Sequence, residues 1–281
     1  MKKYSFAGFE YRGLNNLGDN IQSIATERLF PEKVIQRFDR DRLAYANPSE
    51  PMKIVMNGWF SHQPQTCLPF NLNLEPVFWG FHITDYNHSW EYFRQKEVIA
   101  YLKQYEPIGC RDPYTADRLS QLGVETFVSY CLTLTLSKRE CEPENGYIFV
   151  VDGDHIPLPL EFNERIISVS HRSLCWNRET LKRLLAKQLL RQYKTKATLV
   201  VTTRLHCLLP CIAMGIPVVF FNNPKDYRVS WVKDLGVHIY TGKDWDSVEW
   251  NPKPIRFSEK KKIIENFQSR ILINNISNKI L

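Results

Sequence analysis

ATLVVTTRLHCLLPCIAMGIPVVFF, residues 197–221, decides the fold. Leu199–Thr203 is an apolar, β-branched run of the kind that fills a buried parallel strand, and Pro217–Phe221 is another. Between them, Arg204–Met214 has the length of a short helix and is closed by Gly215, where a helix C′ glycine belongs. Strand, helix and strand in so short a span make a βαβ unit. In open α/β sheets, ligands bind beyond the carboxyl ends of the strands, where helix N-termini point. Arg204 and His206 therefore stand where an anionic ligand would be held.

Outward from this stretch, composition sets the bounds. The 281 residues suit one large domain or two modest ones. No apolar run is long enough to span a bilayer, and the first residues, MKKYSFAGFEYRG, lack the apolar region of a signal peptide. The net charge of +7 fits a lysine-rich soluble surface, or a polyanionic partner such as phosphate esters, anionic lipid or nucleic acid. Nucleic acid is set aside because the basic residues are scattered and no known module appears. Seven cysteines without a CxxC pair argue against a disulfide framework and a structural zinc site, so no metal is expected. Cys207 and Cys211 are expected as core thiols, and a reducing cytoplasm is the expected compartment.

In chain order, Ser5–Tyr11 is an expected first strand. The cluster Asn15–Asp19 is a turn, with Asp19 or Asn20 as cap for a helix carrying Ile21, Ile24, Ala25 and Leu29 on one face. A glycine among small polar residues between a strand and a helix resembles a phosphate- or sugar-binding turn, but taken alone these residues make an ordinary βα turn. Lys53–Phe60, with Asn57-Gly58 inside it, and Pro76–His82 are further strands. Ser89 is placed as the cap of one helix running to about Tyr105. Pro107–Arg111 is a short strand; Asp112 at N-cap and Pro113 at N1 start a helix that Gly123 closes, and Val124–Val128 follows as a strand. Arg111 and Arg204 thus occupy the same kind of strand-to-helix corner.

Ser137–Gly146 breaks the apolar pattern and is taken as a linker. Tyr147–Val151 is a strand followed by Asp152-Gly153-Asp154-His155, either a polar turn or a fragment of a metal site, with the turn preferred. Arg165–Ser170 is a strand ending at His171, and Asn177 is placed as the cap of a helix through Tyr193. Val232–Tyr240 contains a further short strand, and Ser258 begins a terminal helix. Its Lys260–Lys262 run is a solvated face, although an anionic membrane surface would attract it. The expected architecture is α/β: two doubly wound Rossmann-like domains facing across a cleft, residues 1–140 and 141–250, with 251–281 a helical segment packing back.

Asn15–Asp19 (NNLGD), the Arg111 corner with Leu122–Val124, and Thr203–His206 (TRLH) leading to Ala213–Val219 together resemble the polysaccharide pyruvyl transferases. Two features depart from that family's pattern: its glycine-rich strand end is reduced to Asn57-Gly58, and its usual Asp-Pro is here Tyr130-Cys131. The resemblance implies an architecture like that of the GT-B glycosyltransferases. It implies transfer of a pyruvyl group from phosphoenolpyruvate, a donor substrate needing no cofactor, to a sugar as a cyclic ketal. It also implies a role in capsule, exopolysaccharide or cell-wall polymer synthesis, here on a lipid-linked acceptor, a sugar carried on a polyprenyl diphosphate. By motif position, Arg111, Arg204, Leu205 and His206 would line the donor site; His171, at the carboxyl end of its strand, is a separate candidate for phosphate. Asn16, Gly18, Asp19 and Asn57 would face the acceptor, Asp19 as base or orienter. The enzyme would then work in the cytoplasm, with a peripheral position at the inner face of the membrane as the variant.

The chemistry suits these residue types. Arginine forks bind both carboxylate and phosphate and stay charged at any working pH. The enol phosphate needs protonation at C3, and His206 is the natural acid, with Arg204 as the cation beside it. The alternatives are a glycosyltransferase using a nucleotide sugar and a non-catalytic sugar-phosphate-binding protein. Against the first, no glutamate lies between Glu179 and Glu249 to hold a donor ribose.

Overall fold

The computed structural model describes residues 5–175 and 177–272, with Asn163 described by its backbone alone. By contacts the described chain divides into two units. The first holds the residues to Tyr11, Ala25–Leu132 and those from Lys261 on; the second holds Arg12–Ile24 and Thr133–Lys260.

The first unit contains β1 (Ser5–Glu10), the end of α1 (Leu17–Glu27), β2 (Val34–Asp39), β3 (Met52–Val55), β4 (Gly58–Trp59), β5 (Leu74–Val77), β6 (Phe81–His82), α2 (Ser89–Phe93), α3 (Lys96–Lys103), β7 (Ile108–Cys110), α4 (Pro113–Gln121) and β8 (Thr126–Val128). Its strands form two four-stranded parallel sheets, β2-β1-β3-β5 and β4-β6-β7-β8. The chain runs from β3 into β4 and from β5 into β6, and backbone bonds Met56 N to Val77 O (2.9 Å) and Phe60 N to His82 O (3.0 Å) carry the ladder across the breaks. Gly80 makes the break: its φ is +71°, and a Cβ there would lie 2.1 Å from Asn57 Oδ1.

The second unit contains β9 (Tyr147–Val151), β10 (Ile166–Val169), α5 (Glu179–Lys196), β11 (Ala197–Thr202), α6 (Leu205–Met214), β12 (Val218–Phe221) and β13 (Ile239–Tyr240). These strands form one parallel sheet in the order β10-β9-β11-β12-β13. Numbered from its own first strand, that order is 2-1-3-4-5, the doubly wound pattern whose switch point lies between the first and third strands, here β9 and β11. β11 is apolar because a central parallel strand is covered on both faces: Leu199, Val200 and Val201 are all buried. Each unit is thus mixed α/β with parallel sheets, as expected.

The opening stretch folds as its pattern dictates. α6 is buried from Cys207 to Met214, and Gly215 caps it at φ +69°. Cys207 and Cys211 lie in the core. Asp112 caps α4, its side chain accepting the Thr115 N–H at 2.9 Å.

Other expectations need correction. β2 is not among the expected strands; its residues show no apolar pattern because it is an edge strand with only partial cover. The helix expected from Ser89 to Tyr105 is two, α2 and α3, because Gln95 takes an extended conformation at the start of α3. α1 begins at Leu17, ahead of Asp19, and Asn16 Oδ1 accepts the Gly18 N–H at 3.1 Å. Asn177 does not cap α5: Arg178 holds that place, and Asn177 Oδ1 accepts from Gly13 N at 3.1 Å.

The contact division also runs differently from the 140/141 boundary. Residues 12–24 belong with the second unit because Asn16 pairs antiparallel with Arg172. Leu17 N donates to His171 O, and Ser173 N donates to Asn15 O, both at 2.7 Å. The last described helix, α7 (Lys260–Leu272), sits on the first unit through Phe267 against Trp79, with Lys53 Nζ donating to Ile271 O at 2.7 Å. The expected segment 251–281 runs beyond the described residues after Leu272. Among the described residues, no helix is long and apolar enough to cross a membrane.

Candidate active site

The carboxyl ends of β9, β10 and β11 bring a set of polar groups to the switch point of the second sheet. Asp152, directly after β9, takes a left-handed φ of +49°. Its carboxylate accepts from Arg204 Nε at 2.7 Å, from Ser170 Oγ at 2.5 Å and from His171 N at 3.1 Å. Burial pushes the Asp152 carboxyl up, but the bonds from Ser170 and His171 and the Arg204 charge outweigh it, and the group ionises below its ordinary range. Arg204, the N-cap residue of α6, is half-buried and held by this carboxylate. α6 starts without a side-chain cap, which suits its first turn to an anion.

His206 is presented by a kink. Its φ of −82° and ψ of +16° leave helical geometry inside α6. The cause lies four residues on: the Pro210 ring crowds the carbonyl of residue i−4 and supplies no N–H to it. The imidazole packs against Gly18 at the start of α1, where an added Cβ would lie 3.1 Å from His206 Cβ and Nδ1. Glycine at this position is therefore a close-approach residue.

Asn16 holds the same turn, its Nδ2 donating to Asp19 Oδ2 at 3.3 Å. Asn16, Gly18, Asp19, Arg204, Leu205 and His206 all fall in the second unit, as does His171. The His171 ring is 1% exposed and lies against Tyr193, Nε2 to the phenol oxygen at 3.0 Å. Its backbone, not its imidazole, meets the Asn15–Leu17 segment and Asp152. Beneath it, burial raises the Cys207 thiol, but Cys211, His171 and Thr202 together draw it below its ordinary value.

Arg111 and Asn57 fall in the first unit. Arg111 follows β7 and is 4% exposed, with Nε 3.6 Å from Asp112 Oδ2. The corners of Arg111 and Arg204 share a local form but not a topological place, since β11 flanks the switch point of its sheet and β7 does not flank that of the first. Asn57 is 2% exposed; its Nδ2 donates to Thr26 Oγ1 at 2.8 Å, beside the strand break.

Asp152, expected in a polar turn or a metal-site fragment, and Ser170 and Pro210 enter the site without a local signal for these roles. Asp152 looked like a turn residue, and the Ile156 N to Gly153 O bond of 2.8 Å does close a turn there. Only the strand order sets it beside Arg204. Among the described residues, no group of three or more His, Cys, Asp or Glu side chains is arranged to hold a metal ion.

The family model of polysaccharide pyruvyl transferase matches residues 16–225, which run from Asn16 through the Arg204–His206 corner. The chain belongs to this family. A solved structure of a functionally uncharacterised protein from Klebsiella pneumoniae is similar at 18% identity and a TM-score of 0.49, covering 81% of this chain and 87% of that one. No curated protein matches the chain. The family membership makes the chain a transferase of pyruvyl groups in polysaccharide synthesis.

Proposed function

We propose that this pyruvyl transferase takes its pyruvyl group from phosphoenolpyruvate and sets it on two hydroxyls of a lipid-linked sugar as a cyclic ketal, in capsule or exopolysaccharide synthesis. The observation that carries the reading is the pairing at the second switch point: Arg204, held by Asp152 at 2.7 Å, with His206 two residues on and packed against Gly18. Arg204 and the uncapped first turn of α6 receive the phosphate or carboxylate. His206 protonates C3 of the enol phosphate, and C2 becomes an oxocarbenium-like electrophile. One sugar hydroxyl adds to C2 and gives up its proton, and the C2–O bond to phosphate breaks. The second hydroxyl then adds and closes the ring, releasing its own proton. Asn16, Gly18 and Asp19, which lie in the same unit as Arg204 and His206, are assigned to the acceptor side.

The test is incubation of the full chain with phosphoenolpyruvate and a polyprenyl diphosphate sugar, followed by phosphate release and mass spectrometry. The expected product is heavier than the acceptor by one pyruvate less one water. His206→Ala should slow phosphate release by about 10²–10⁴-fold with the fold intact, and Arg204→Ala should chiefly weaken donor binding. Stabilisation of the protein by a nucleotide sugar, without stabilisation by phosphoenolpyruvate, would defeat the proposal.

A further inference from the structure

The first unit has a switch point of its own. In the order β2-β1-β3-β5 it lies between β1 and β3, and β4 continues β3. The residues that follow these strand ends form one cluster. Tyr11 follows β1, Arg40 and Asp41 follow β2, and Trp59 ends β4.

The cluster is built, not incidental. Arg40, fully buried, lies over the Tyr11 ring at 5.3 Å and the Trp59 ring at 5.7 Å. Its guanidinium is held by Asp41 through Nε at 2.9 Å and Nη2 at 3.2 Å. The indole N–H of Trp59 donates to Thr84 Oγ1 at 3.0 Å, so the ring is fixed at its edge as well. Asp41 Oδ2 also meets His62 Nδ1 at 2.7 Å. Burial would raise the Asp41 carboxyl, but Arg40 and His62 bring it below its ordinary range, so it is ionised. Tyr86, 55% exposed, stands edge-on to Trp59 at 5.4 Å and near-parallel to His62 at 6.4 Å. Asn87 and His88, directly after it, both take φ of +52°, an uncommon pair of left-handed residues in a row.

We propose that this cluster is a carbohydrate subsite: Trp59 and Tyr86 receive the C–H face of a pyranose ring, and His62, oriented by Asp41, hydrogen-bonds its hydroxyls. Aromatic faces carry negative charge density and attract the polarised C–H groups of a sugar. A protein partner is a poorer fit, because a fixed ion pair and an imidazole lie among the rings and would need polar partners at every point. A pyranose supplies an apolar face and hydroxyls at its rim in one small ligand. The assignment rests on the reading that this family member acts on a sugar, and not on phosphoenolpyruvate as donor.

Saturation-transfer NMR of the full chain tests it, without phosphoenolpyruvate. The probes are methyl glycosides of glucose, galactose, mannose, N-acetylglucosamine and N-acetylmannosamine. At least one should receive saturation at its ring C–H protons. Tyr86→Ala should weaken that binding by roughly three- to tenfold, the scale of one aromatic contact, and Tyr86→Phe should restore it to within about twofold. His62→Ala should weaken it in a chain that still folds, with a somewhat lower melt because Asp41 loses one of its partners. Binding of no probe by the folded wild type, or equal binding by folded Tyr86→Ala and His62→Ala, overturns the subsite. Sugar binding lost in these variants, with no phosphate released from phosphoenolpyruvate by the wild type, leaves the subsite standing and removes the donor reading instead.

Discussion

Replacing Pro210 by alanine tests whether α6 is bent in order to present His206. Proline leaves the His206 carbonyl without its helical donor and crowds it, and His206 sits at ψ +16°. Alanine restores the N–H, and relaxation to a helical ψ near −42° would turn the backbone at His206 by roughly 60°. The stability terms nearly cancel. Alanine in place of proline inside a helix gains at most about 3 kcal/mol. Against this stand the loss of buried ring carbon, about 0.8 kcal/mol per methylene, and a freer unfolded chain, about 0.4–1 kcal/mol. The net change should stay within about 1 kcal/mol, a shift of roughly 2–4 °C in Tm for a domain of this size. Catalysis should respond far more, since misplacing a catalytic group by about 1 Å can cost 10²-fold. The measurement is steady-state phosphate release beside a thermal melt. Turnover should drop by roughly ten- to a hundredfold, with the KM for phosphoenolpyruvate little changed because Arg204 precedes the kink. A folded Pro210→Ala enzyme with wild-type turnover would refute the reasoning.

Other substitutions probe neighbouring parts of the same site. Gly18→Ala places a methyl 3.1 Å from His206 Cβ and Nδ1. The same methyl meets Asn16 Oδ1 at 3.1 Å, and at the second residue of α1 helix propensity returns at most about 1 kcal/mol against that crowding, so a Tm little changed with turnover at least several-fold lower is expected from kinetics and melting together. Asp152→Asn keeps a residue that tolerates the left-handed backbone and removes the charge beside Arg204. Losing about 1 kcal/mol of charge assistance should raise the KM for phosphoenolpyruvate roughly fivefold, and an unchanged KM would detach Asp152 from Arg204 in function.

Asp112 gives a pH signature. Burial would raise its carboxyl, but His82, Arg111 and the Thr115 N–H together lower it. Its contribution to stability is therefore complete above the ordinary aspartate pKa of about 3.9 and is lost as pH falls through the lower folded value. Denaturant midpoints measured from pH 5 downward should show an acid limb that flattens in Asp112→Asn. Asp112→Ala should cost about 3–5 kcal/mol, since it strips a buried partner from His82 as well as the cap of α4.

Local chemistry was enough to determine much of this protein. The alternation of β-branched runs with short amphipathic stretches dictated parallel α/β units, because a strand covered on both faces must be apolar throughout. Gly215 at a helix end and Asp112-Pro113 at a helix start act within a few residues, so their geometry was legible directly. The ordered NNLGD, TRLH and AMGIPVV stretches carried the family. What reached across the chain was not legible. The edge strand β2 followed from its place at the end of the sheet, and the break between α2 and α3 from the extended backbone at Gln95. The docking of residues 12–24 onto the second unit rests on backbone bonds at Asn15, Leu17, His171 and Ser173, which leave no mark in side-chain pattern. Asp152 and Arg204 are 52 residues apart, and only the order β9-β11 sets their strand ends side by side. Periodicity records which face of an element is buried; it does not record which element buries it, and the partners that hold Arg204 and pack on His206 depend on that second choice.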